Sequence, residues 1–129
     1  MPREDYRDSL DELERDVEAM ADDVGDQLRH ALDALERGDH DLAREVIDGD
    51  DRINQQYLDL ESDCIDLIAL QQPVASDLRF VAASFKILTD LERIGDLATN
   101  LGRYALAGSP QIAPEVQVET IGEFASAQL

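Results

Sequence analysis

Residues 90–101 read DLERIGDLATNL. Ile94, Leu97 and Leu101 fall at three- and four-residue intervals, the spacing of one face of an α-helix. Glu92, Asp96 and Asn100 fall at four-residue intervals on another face. At ~100° per residue, with Leu78 as origin, these three polar groups span about −40° to +40°, opposite the apolar set. The stretch predicts a helix whose acidic row faces away from its main seam.

Working outward, the seam continues through Phe80, Ala83 and Ile87 on one side and Tyr104 on the other, and the helix should end near Gly108-Ser109-Pro110. Upstream, Gln71-Gln72-Pro73 breaks the pattern, because the residue before a proline is driven out of the helical region. Before that break a second helix shows a seam at Val46, Ile53, Tyr57, Leu60, Cys64 and Leu67. Gly38 should end the first helix and Asp39 should cap the second. The first helix carries Leu10, Leu13, Val17, Met20, Val24, Leu28, Ala31 and Leu35 at alternating steps of three and four. Each helix is about thirty residues, or ~45 Å at 1.5 Å per residue. Nothing between Pro2 and Ala107 reads as a strand.

Three long amphipathic helices with two short connections predict an all-α fold, an antiparallel up-down-up three-helix bundle over residues 1–108. Residues 109–129 read as a linker and the start of a fourth helix, with Val118, Ile121, Phe124 and Ala125 as its apolar positions. At 129 residues the chain is expected to be one domain and can bury somewhat under ~70% of its unfolded surface.

Charge narrows the partner classes. Nineteen Asp and eleven Glu stand against ten Arg and one lysine, Lys86, for a net charge of −19. Such a surface repels nucleic acid and anionic membrane, whose recognition needs Lys and Arg against phosphate. Self-repulsion of this size is relieved by salt, whose Debye length is ~3 Å at 1 M, so a high-salt, halophile-like setting is expected. The opening MPREDYRDSL has no apolar stretch, no run approaches the ~20 apolar residues of a membrane span, and Cys64 is the one cysteine. A cytoplasmic location is the expectation.

The acids are not scattered. Asp50 and Asn54 on the second helix are four apart, as are Glu92 and Asp96 on the third. The midpoints of the two pairs, positions 52 and 94, each lie 21 residues from Pro73, so an antiparallel hairpin brings them to one level. Carboxylates gathered in this way raise one another's pKa unless something positive lies between them. A hard cation bound by oxygen ligands resolves the repulsion, with Glu61 and Asn100 as further candidate ligands. The competing reading is that Arg52 and Arg93 neutralise the acids as surface ion pairs. His30 and His40 read as surface residues and Cys64 as a small core residue. No phosphate loop, HExxH or nucleophile elbow is present, so no catalytic residue is assigned and no enzyme is expected.

Three motifs in order carry a family resemblance: Asp50-Asp51-Arg52-Ile53-Asn54, Gln72-Pro73-Val74-Ala75-Ser76-Asp77-Leu78-Arg79, and Leu91-Glu92-Arg93-Ile94-Gly95-Asp96. Over about residues 10–107 the chain resembles the PhoU family of phosphate-specific transport system accessory proteins. The resemblance implies three-helix-bundle repeats, with a multinuclear iron or zinc cluster held by paired E(D)xxxD(N) motifs. Carried over, the metal ligands would be Asp50, Asn54, Glu92 and Asp96. It also implies negative regulation of phosphate uptake through contact with the ATPase of the phosphate ABC transporter and, in bacteria, with a phosphate sensor kinase. Typical members have two such repeats, whereas this chain shows one plus the start of a fourth helix, so it is expected to be either a truncated two-repeat protein or a single-repeat protein that forms a homodimer to rebuild the double bundle. The alternative is an acidic structural or adaptor bundle without metal.

Overall fold

The computed structural model describes residues 3–71 and 75–108. Four helical segments follow one another: α1 (Arg3–Arg37), α2 (His40–Asp48), α3 (Asp50–Gln71) and α4 (Ala75–Ala107). The described residues contain no strand. α2 and α3 together form the descending arm, so the architecture is an up-down-up three-helix bundle. α1 and α4 run in the same direction and pack along each other, while α3 lies against both.

The local signals act where the sequence placed them. Gly38 adopts φ 66, the left-handed conformation that closes a helix, and Asp39 accepts a hydrogen bond from the Leu42 amide at 3.1 Å to start α2. Gly108, at φ 62, closes α4 in the same way. The predicted partial fourth helix, with Val118, Ile121, Phe124 and Ala125, lies outside the described residues.

The descending arm is not one continuous helix. It is interrupted at Gly49, beside which the Gln27 side chain of α1 reaches across and donates to the Val46 carbonyl at 2.8 Å. A Cβ at position 49 would lie 2.6 Å from Gln27 Nε2, so glycine makes room for that bond. Two more glycines bring the arm close to α4. A Cβ on Gly95 would meet Ile53 Cγ2 at 3.1 Å, and one on Gly102 would meet the Ala43 carbonyl at 3.2 Å.

One core runs the length of the bundle, from Tyr6, Leu13 and Val17 through Met20, Ile53 and Leu88 to Ala98 and Leu101. The seams predicted for α1 and for the arm are buried as expected, with Leu10, Leu35 and Tyr57 at their margins. Cys64 is fully buried between Leu60 and Leu67, and burial pushes its thiol up to about 11. The seam predicted for α4 needs correction. Ile94 and Leu101 of that seam face the core together with Val81, Leu88, Leu91 and Ala98, whereas Ala83 is exposed and Phe80, Ile87, Leu97 and Tyr104 are 36–51% exposed. The apolar face of α4 is wider than the part the bundle covers, which includes Val81, Leu88, Ile94 and Leu101. Among the described residues no helix is long and apolar enough to cross a membrane.

Candidate functional site

The groove between α3 and α4 holds the acidic residues singled out above. Gly95 allows the Ile53 methyl to approach, which sets the start of α3 tightly against the middle of α4. At this level Asp50 Oδ1 accepts a hydrogen bond from the Thr99 hydroxyl at 2.9 Å, across the two helices. The Asn54 amide donates to the other Asp50 oxygen at 3.3 Å, along α3. Asp50 is thus held by one neighbour on each helix.

Glu92 shows the electrostatic character of the groove. Its carboxyl is raised above the usual carboxylate range, first by partial burial, then by hydrogen bonding with and repulsion from Asp96, and further by Asp50; Arg93 opposes the shift. Glu92 therefore feels Asp96 on its own helix and Asp50 across the groove. The two pairs meet at one level, as the symmetric spacing about Pro73 predicts.

Glu61 lies one to two turns farther along α3 and accepts from the Tyr57 hydroxyl at 2.8 Å. That bond, together with burial and the Glu61 charge, raises the Tyr57 phenol. Asn100 is exposed and accepts from Arg103 at 3.0 Å. Arg52 reaches away from the groove toward Asp23 of α1, at 3.7 Å, and Gln56 donates to the same Asp23 at 2.8 Å. Only Arg93, of the two arginines considered as neutralising partners, bears on the acids of the groove.

The donor set is all oxygen, with Asp50, Asn54 and Glu92 partly buried and Asp96 exposed, and such oxygens suit a hard cation. Among the described residues no three His, Cys, Asp or Glu side chains are gathered as a ready chelating set. His30 and His40 are exposed. Separately, an open cleft of about 220 Å³ between α1 and α3 is lined by Ser9, Glu12, Leu13, Asp63, Asp66 and Leu67. In this cleft Asp63 is raised by burial and by Asp16, Glu12, Asp66 and Asp59.

Sequence reasoning missed Thr99. It is 3% exposed, and its hydroxyl also reaches the Gly95 carbonyl at 3.1 Å. In the sequence it is only a threonine seven residues beyond Glu92 on the same helical face, with nothing to mark it as the partner of Asp50.

The family model described as the PhoU domain matches residues 17–105. The phosphate-specific transport system accessory protein PhoU homolog of Aquifex aeolicus is 41% identical over 116 residues, covering 88% of this chain and 52% of that protein. The PhoU protein of Edwardsiella tarda is 38% identical over 120 residues, covering 92% and 49% respectively. That of Escherichia coli is 39% identical over 101 residues, covering 78% and 42%. The chain spans about half the length of the curated relatives it matches.

Proposed function

The chain belongs to the PhoU family, and from that premise we propose that it is a non-enzymatic negative regulator of phosphate uptake, acting in the cytoplasm through protein contacts and a metal site. The relatives named above are accessory proteins of phosphate-specific transport. The partners that fit this role are the ATPase of the phosphate ABC transporter and, in bacteria, the sensor kinase that reports phosphate. A homodimer is the assembly that would act in this role.

The metal reading is supported by the bond that Asp50 accepts from Thr99 across the groove and by Glu92, raised by burial, by Asp96 and by Asp50. Asp50, Asn54, Glu92 and Asp96 would hold the ion or cluster, with Glu61 and Asn100 at the margins. A bound cation would supply positive charge that quenches the repulsion and ties α3 to α4. Iron is the better match to an oxygen-only donor set; zinc more often takes histidine or cysteine.

Elemental analysis of protein purified without chelator tests the site. Metal in the wild type and its loss in Glu92→Ala/Asp96→Ala is the expected result. Equal content in both proteins would remove the site. A second reading, an acidic adaptor bundle without metal, draws on one observation: Asp50 is already satisfied by Thr99 and Asn54. It predicts no bound metal and tolerance of substitution at all four positions.

A further inference from the structure

Gly95, Thr99 and Gly102 follow one another at four- and three-residue steps on α4, all three buried against the descending arm. The glycines bring the arm close, Gly95 against Ile53 and Gly102 against the Ala43 carbonyl. Across that narrowed gap the short Thr99 side chain spans two helices and donates to Asp50 Oδ1 at 2.9 Å.

The Thr99 hydroxyl has one proton and two acceptors in range, Asp50 Oδ1 and, at 3.1 Å, the Gly95 carbonyl. Four residues before Thr99, that carbonyl is the ladder acceptor of the Thr99 amide, so α4 has no need of the hydroxyl. Asp50 does need it, because the carboxylate is part-buried and Asn54 serves only its other oxygen. Asp50 is also the first residue of α3, directly after the interruption at Gly49, whereas Glu92 and Asp96 sit in the unbroken middle of α4. Helix ends fray, so a side chain there is set by what it touches.

The two donors leave Asp50 free to coordinate. A carboxylate offers about four lone-pair directions, and Thr99 and Asn54 take one on each oxygen. So held, the carboxylate lies where Glu92, seven residues before Thr99 on the same face of α4, feels its charge. Carboxylates that bind metals are themselves oriented by hydrogen bonds of this kind, and losing one typically costs about 10–100-fold in affinity.

We infer that Thr99 is a positioning residue of the candidate metal site, aiming the Asp50 carboxylate across the groove toward Glu92. The inference rests on the metal reading above and adds to it a residue that acts through Asp50 alone.

Titration of the full chain with Mn²⁺, and anaerobically with Fe²⁺, tests it in molar KCl, which screens loose binding to the surface acids. Calorimetry reads the affinity of the folded protein, and urea denaturation without metal reads stability. Thr99→Val keeps the shape and loses the donor; it should bind about 10–100-fold more weakly than the wild type, and Thr99→Ser should restore most of the affinity. A threonine with a merely structural role would lower the stability of Thr99→Val and leave its affinity unchanged. That outcome overturns the inference and leaves the metal reading standing. Tighter binding by Thr99→Val would reveal a hydroxyl that competes with the cation for Oδ1, and overturns it as well. Should Thr99→Val not fold, Thr99→Ala, which gains helix propensity, carries the same comparison. A wild type that takes up neither ion, or no more than Glu92→Ala/Asp96→Ala, removes the metal site and the inference with it.

Discussion

α1 and α4 are neighbours of nearly equal length, 35 and 33 residues, and both bury an apolar stripe in the same core. Away from the core they differ. α1 presents acids to solvent and leaves no large apolar side chain exposed, so its single stripe identifies its packing face without ambiguity. α4 is electrically balanced, and its apolar face is wider than the part the bundle covers. Periodicity shows that a helix is amphipathic; only its packed neighbours show how much of the apolar face is covered.

The largest test of this contrast compares the covered and uncovered parts of that face. Leu88 is 1% exposed, and Leu88→Ala should cost about 2–5 kcal/mol, the usual range for truncating a core leucine. Leu97→Ala, in protein dilute enough to be unpaired, should cost less than about 1 kcal/mol. Urea denaturation of both variants measures the difference, and equal losses would erase the distinction between the two parts.

A smaller effect should come from α1. Its excess acids repel one another, so the thermal midpoint should rise from dilute buffer to molar KCl, by about 4 °C for each kcal/mol relieved. Asp11→Asn/Glu14→Gln/Glu18→Gln should reduce that salt response. Removing as many acids from α4 should reduce it less, because cations already balance them. An identical midpoint in both salts would contradict the repulsion.

The smallest effect concerns the α1–α3 cleft, where Asp63 is raised above its ordinary value of 3.8. A carboxyl whose folded pKa is raised favours folding in its protonated form. That contribution is fully present below the unfolded value and is lost as pH rises through the folded one. At neutral pH the charged Asp63 is a burden, so Asp63→Asn should raise the thermal midpoint there. The gain should fade as pH drops to the unfolded value. A gain that persists in acid would assign the effect to something other than titration.

Much of this arrangement was legible before the fold was seen. Gly38, Asp39 and the α1 seam act through local rules, and the symmetric spacing of Asp50/Asn54 and Glu92/Asp96 about Pro73 needed only a hairpin. What escaped depends on contacts between helices. Phe80 and Val81 are adjacent in sequence and both apolar, and the row Phe80, Ile87, Ile94 and Leu101 is covered only in its second half, which the position of the neighbouring helices decides. Thr99 looks like an ordinary mid-helix residue until Asp50 is set opposite it. The break at Gly49 comes with Gln27, twenty-two positions earlier on another helix.

Cys64 gives the molecule a built-in stopwatch. The single sulfhydryl is sealed in the centre of α3 and held protonated, so a maleimide in solution meets no nucleophile while the helices stay together. Its labelling rate under native conditions would count the moments when α3 lifts from its neighbours, without any probe having to be engineered in.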